Sequence, residues 1–166
     1  PPPLAEDLLA LRTSLPLKPA PVTLTGKLVQ LRPLALDDDI APLYACSNGE
    51  PITIGEYRVA AYDAEQIIWR YTFAGPFANE TGFQRYCVGQ VDAPNGRCFC
   101  VVDRATDRPV GMTNFMNNSP EHLKIELGGI WYSPLVQGRG FNTEATYLML
   151  QHVFGLGYQR VEWKCN

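Results

Sequence analysis

Apolar residues alternate with polar ones in some stretches of the chain and recur every three to four positions in others, and this contrast divides it into elements. Between residues 27 and 34 the apolar positions Val29, Leu31 and Pro33 are two apart, which predicts a strand. Residues 36–49 then read as a helix, with Asp37, Asp38 and Asp39 in its first turn and Asn48-Gly49 as its stop. Residues 50–62 read as irregular. Asp63 is placed to cap a helix that carries Ile67, Ile68 and Tyr71 on one face and ends at Gly75-Pro76. Another helix is predicted over 80–91. Three strands follow at 98–103, 109–118 and 123–133, joined by tight turns around 104–109 and 119–122. A last helix has Ala145, Leu148, Met149, His152 and Val153 at helical spacing and is stopped by Gly155 and Gly157. Val161, Trp163 and Cys165 alternate as a closing strand. The order strand, helices, three antiparallel strands, loop and helix, strand is that of an α+β or mixed α/β domain.

Composition narrows the partners. Residues 1–25 are proline-rich around a short amphipathic stretch and read as an extension, leaving 26–166 as the domain. The chain has 166 residues, 46% of them hydrophobic, enough for one core. Its 14 Lys and Arg are interspersed with 17 Asp and Glu, for a net charge of −3, so no footprint for a nucleic-acid backbone is visible. No apolar run reaches the ~20 residues a membrane span needs, and the start lacks the basic-then-apolar pattern of a signal peptide. A cytoplasmic protein with no membrane partner is the expectation. Five cysteines without a C-x-x-C and two histidines lack zinc-ligand spacing, so no metal is expected. Cys98 and Cys100 instead share one strand face as small buried hydrophobes.

The chemistry concentrates where the third of those strands meets the last helix, through a glycine-rich loop. A helix N-terminus offers about four unpaired N–H groups and a partial positive charge, and Gly138 and Gly140 would let backbone wrap an anion unobstructed. A P-loop needs Gly-Lys-[Ser/Thr], and no Lys follows either glycine. A dinucleotide fingerprint needs a third glycine where Thr143 stands, and a βαβ unit where this chain has antiparallel strands.

The third kind of loop is [Gln/Arg]-x-x-Gly-x-[Gly/Ala]. Gln137-Gly138-Arg139-Gly140-Phe141-Asn142 matches it at Gln137 and Gly140 and departs at Asn142. This is the diphosphate loop of the GNAT superfamily of N-acetyltransferases. The strand before the loop, the stretch after the helix, the first strand with its acidic helix, and residues 70–77 all resemble RimJ/RimL-like members over about 26–166. The resemblance implies a GNAT fold, a central, mostly antiparallel sheet with splayed strands flanked by helices. Family members continue past the closing strand with a further helix and two strands, so the chain is expected to lack those elements.

The function implied is transfer of an acetyl group from acetyl-CoA to a primary amine, either a protein α-amine or a small-molecule amine, by a monomer or homodimer. The alternative is a non-catalytic acyl-CoA-binding or protein-interaction module on the same fold. Acetyl-CoA would run along Ile130, Trp131 and Tyr132 and meet Gln137, Gly138, Arg139, Gly140, Phe141, Asn142 and Thr143. The family's bulged strand is expected at Gly128-Gly129, aiming the N–H of Ile130 or Trp131 as oxyanion donor. An amine of pKa about 8 to 10 must lose a proton before it attacks, and Glu126 is the candidate base, set against an ordinary ion-paired strand Glu. Arg139 is read either as a phosphate contact or as a solvated loop residue. Asn142 or Thr143 is the expected N-cap, and Glu144 should point away from the anion. Trp69, Tyr71, Phe73 and Phe77 form an acceptor pocket or simply core.

Overall fold

The computed structural model describes residues 3–164. Eight strands and four α-helices run in the order α1 (Glu6–Ser14), β1 (Leu24–Thr25), β2 (Val29–Pro33), α2 (Leu36–Ala45), β3 (Ile52–Ile54), β4 (Tyr57–Val59), α3 (Glu80–Asp92), β5 (Arg97–Asp103), β6 (Arg108–Ser119), β7 (Lys124–Tyr132), α4 (Phe141–Gly155) and β8 (Arg160–Glu162). Six strands form one sheet in the order β1-β2-β5-β6-β7-β8, antiparallel throughout except for the parallel pair β7-β8. A mostly antiparallel sheet flanked by helices is the architecture expected from the sequence.

Alternation explains the layers. Along β5, Cys98, Cys100 and Val102 face one side with α2 and α3, packing against Leu43, Phe83 and Met112. Phe99 and Val101 face the other, where Phe115 and the α4 residues Phe141, Ala145, Met149 and Val153 cover them. Both faces of the sheet are therefore buried, and Cys98 and Cys100 share a face as read from their spacing. Burial pushes both thiols well above their ordinary range, as suits packing groups.

Local chemistry fixes the helices. Asp39 of α2 is 1% exposed and takes both guanidinium nitrogens of Arg32, at 2.6 and 2.7 Å, plus the N–H of Ala35 at 2.8 Å, tying the helix start to β2. Asn79 caps α3 by accepting the N–H of Gly82 at 2.9 Å.

Two expectations need correction. Residues 50–62, read as irregular, contain the β3-β4 hairpin, whose two-residue turn has Gly55 at φ +56°. Asp63 does cap, but the element it opens is a short π-helical turn, Glu65–Trp69, that buries Ile68 and Trp69, while Ile67 and Tyr71 face out. The register of that turn, set by packing Trp69 on Trp131 and Phe77, overrides the one-face spacing. Residues 3–25, read as an extension, are tied to the sheet. Carbonyls of this segment take side-chain donors from the sheet: Asn118 donates to Pro16 and Leu17, and Arg97 to Pro19. Lys18 donates in turn to the Val91 carbonyl, and β1 is already a strand of the sheet.

Candidate active site

Strand β7 changes character halfway. Ile125 and Leu127 point to the α4 side, so period-two alternation would put Trp131 there as well, yet Trp131 packs with the α2-α3 side. The parity switches because Gly128 pairs with Asn114 and Trp131 with Met112, leaving Gly129 and Ile130 together opposite the single residue Thr113. Gly129 sits at φ +56°, and a Cβ there would overlap the Asn114 amide. That amide donates to the carbonyls of Gly128 and Gly129 at 3.4 and 3.3 Å, holding the bulge from the neighbouring strand. Next to the bulge the sheet opens: β8 pairs with β7 only as far as Glu126 opposite Glu162, whereas β7 runs on to Tyr132. The bulge lies at Gly129-Ile130, one residue on from the Gly128-Gly129 pair that the resemblance implied.

After β7 the chain turns over buried Leu135 and Val136 into the glycine loop. Gly138 and Gly140 have φ of +72° and +86°, conformations that glycine adopts without strain. Gly140 itself is the N-cap, and no side chain caps the helix, so neither Asn142 nor Thr143 holds that place. The left-handed glycine starts the helix two residues earlier than an Asn142 cap would and leaves its first amides bare. Among the described residues, the N–H groups of Gly138, Gly140, Phe141, Asn142 and Thr143 have no acceptor. With the helix dipole, equivalent to about half a positive charge, they form a seat for an anion.

Bulge and amides line one cleft of about 860 Å³, which also takes in Glu126, Trp131, Tyr132 and Gln137. Ten of the eleven residues singled out from the sequence border it. Arg139 does not. Its guanidinium stacks 4.6 Å from the ring centre of Tyr57 in β4 and so braces the hairpin. Gln137 borders the cleft but spends its amide on the loop, donating to the Tyr132 carbonyl at 2.9 Å.

Glu126 faces the cleft, 6% exposed, ion-paired with Lys164 and accepting from Asn117 Nδ2 at 2.9 Å. Burial alone would raise its pKa, but Lys164 and Asn117 outweigh burial and hold it below the ordinary value of 4.5. It is therefore an ionised carboxylate at neutral pH. The aromatic group divides: Trp69 and Phe77 pack into the core with Tyr86 and Trp131, whereas Tyr71 and the fully exposed Phe73 line the cleft. Trp163 joins them at the rim, 65% exposed. His122 is an exposed turn residue and His152 stacks on Phe115 from α4. Sequence reasoning missed Asn114, Asn117 and Lys164, which reach the site only through cross-strand neighbours. Among the described residues no group of three or more metal-ligating side chains occurs, and no helix is long and apolar enough to cross a membrane.

A splayed sheet with a bulge beside a glycine-loop helix start defines the class of acyl-CoA-dependent N-acyltransferase folds. Residues 29–166 match the family model described as an acetyltransferase (GNAT) domain, and the chain belongs to that family. Members of this family use acetyl-CoA as cosubstrate. Among solved structures it is similar to a GCN5-related N-acetyltransferase from Brucella melitensis, at 32% identity and a TM-score of 0.77 over 89% of this chain and 62% of that one. It is similar also to a GNAT-family protein from Chromobacterium violaceum, at 26% identity and a TM-score of 0.75, covering 90% of this chain and 68% of that one. A Salmonella typhimurium acetyltransferase that modifies the N-terminal serine of ribosomal protein L7/L12 shares the fold at 11% identity, with a TM-score of 0.66 over 87% of this chain and 75% of that one. No curated protein matches the sequence. The chain thus spans under two thirds of the length of the Brucella relative.

Proposed function

We propose that this domain transfers an acetyl group from acetyl-CoA to a primary amine. The observation that carries the reading is the single cleft shared by the β7 bulge and the unpaired amides of Gly138 and of Gly140 to Thr143. Those amides hold the diphosphate, and Ile130, Trp131 and Tyr132 offer a strand edge for the pantetheine arm. Acetyl-CoA supplies the thioester carbonyl. The N–H of Ile130, which the bulge leaves unmatched in the β6-β7 register, or that of Trp131 donates to the oxygen on which negative charge develops. The amine nitrogen must be neutral to attack. At pH 7 only about a tenth of an α-amine of pKa about 8 is neutral, so its proton needs an acceptor. Glu126, ionised and facing the cleft, takes that role, directly or through one water.

Protein N-terminal α-amines and small-molecule amines both fit as acceptors. The Salmonella relative acts on a protein terminus, and the aromatic rim of Tyr71, Phe73 and Trp163 gives a chain-like acceptor a surface to lie on. A second reading, an acyl-CoA-binding module without turnover, draws on one observation, the Glu126–Lys164 pair, which neutralises the base. Thermal-shift titration with acetyl-CoA tests the cleft, since ligand that binds only the folded state raises the midpoint. Release of free CoA thiol with peptide and small-amine panels separates the two readings: binding without turnover on any amine would leave only the second.

A further inference from the structure

The Glu144 carboxylate, in the first turn of α4, faces away from the cleft, as anticipated, and its destination is specific. Its Oε1 accepts the N–H of Lys27 at 2.7 Å, and its Oε2 accepts those of Leu28 at 2.6 Å and Val29 at 2.9 Å. Three backbone donors converging on one carboxylate from more than a hundred residues away form a built cradle. Gly26 completes it, because a Cβ there would overlap the carboxyl group. The cradle is held from outside as well. The turn closes on itself through Gly26 N–H to the Val29 carbonyl at 2.9 Å, Arg104 donates its guanidinium to the Gly26 carbonyl at 2.6 Å, and its backbone N–H to the Leu28 carbonyl at 2.9 Å. The tip of this turn also touches the glycine loop, with Leu28 Cδ1 3.5 Å from where a Cβ of Gly140 would stand.

We infer that Glu144 is the positioning residue for the diphosphate seat: it locks the first turn of α4 to the β1-β2 turn, and so fixes where the bare amides of Gly138 and of Gly140 to Thr143 point. The inference rests on the reading of that loop as the acetyl-CoA site. A carboxylate this close to an anion seat would ordinarily repel its occupant. Here its lone pairs are directed at three N–H groups on the far side of the helix, so the geometry is gained while the charge is matched by backbone dipoles. Replacing the carboxylate by an amide puts an NH₂ against N–H donors and releases the turn.

The test is Glu144→Gln, assayed with acetyl-CoA, with 3′-phospho-ADP, which keeps the diphosphate but lacks the pantetheine arm, and with acetylpantetheine, which keeps the arm but lacks the diphosphate. The expected result is a KM for acetyl-CoA and a Ki for 3′-phospho-ADP both raised about tenfold or more, with kcat at saturation within about threefold and kcat/KM for acetylpantetheine unchanged. Gly26→Ala, which leaves Glu144 in place but crowds the cradle, should reproduce the split, and it serves if Glu144→Gln does not fold. Unchanged acetyl-CoA and 3′-phospho-ADP constants in either folded variant would overturn the inference. So would equal losses with acetylpantetheine, the mark of general destabilisation. Wild-type protein that binds no acetyl-CoA would remove the reading beneath it, and does so before any variant is made.

Discussion

Replacing Gly129 by Ala attacks the bulge at its most constrained point, and comparison with Gly138→Ala makes the attack quantitative. Both glycines lie in the left-handed region, at φ +56° and +72°. A Cβ at Gly138 meets nothing within 4 Å, so its cost is conformational alone, about 1–2 kcal/mol. A Cβ at Gly129 also displaces the buried Asn114 amide from the carbonyls of Gly128 and Gly129, and an unsatisfied buried polar group adds about 1–3 kcal/mol. The totals are about 2–5 kcal/mol for Gly129→Ala against about 1–2 for Gly138→Ala. At about 2–4 °C per kcal/mol for a domain of this size, the unfolding midpoint should fall by about 4–20 °C in the first and about 2–8 °C in the second. Thermal unfolding and urea titration measure this directly. Turnover should divide the same way. Gly129→Ala misdirects the N–H of Ile130 and lowers kcat by about 10²–10³, the usual value of one oxyanion donor. Gly138→Ala acts instead on the KM for acetyl-CoA. Equal stability losses in the two variants would refute the Asn114 brace. A destabilised Gly129→Ala protein with normal kcat would refute the bulge as the source of the oxyanion donor.

Gly140→Asp should fold, since Asp tolerates left-handed backbone and its Cβ meets only Leu28 at 3.5 Å, but its carboxylate enters the amide cluster and should abolish the acetyl-CoA thermal shift. Glu126→Gln should lower kcat and flatten the acidic limb of the pH–rate profile; an unchanged profile and rate would end the base assignment. Because the folded pKa of Glu126 lies below its ordinary 4.5, its contribution to stability is present above that value and lost as pH falls through the folded value. The stability difference between wild type and Glu126→Gln should therefore hold steady at neutral pH and shrink below about pH 4.5 in urea titrations. Arg139→Ala should leave the acetyl-CoA dissociation constant within about twofold and cost only about 0.5–1 kcal/mol of stability, as befits an exposed stack on Tyr57. A tenfold weaker complex by calorimetry would return Arg139 to the phosphate site.

Much of the fold was legible because period-two and period-3.6 patterns are local, and the three long strands and three of the four helices are amphipathic or doubly buried runs ended by glycine, proline or capping residues. The glycine loop was legible for the same reason: free amides and positive φ are backbone properties, and Gly138 and Gly140 announce them. Glu144 was legible in its direction, since a helix's first turn fixes which way a side chain can lean, but its three acceptor bonds belong to a turn 115 to 117 residues distant.

What the sequence determined by itself, then, was the order of the long strands and main helices and the glycine-opened start of the last helix, consequences of periodicity and of glycine's freedom at φ above zero. Only the tertiary structure decided the partners. Arg139 went to Tyr57, Trp69 turned inward while Phe73 stayed out, Lys164 found Glu126, and the proline-rich start was bound to the sheet through Asn118 and Arg97. Each of these pairings joins residues brought close by chain crossings and strand register, and a side chain's charge or size states only that it needs a partner, while the geometry of the whole sheet selects which one.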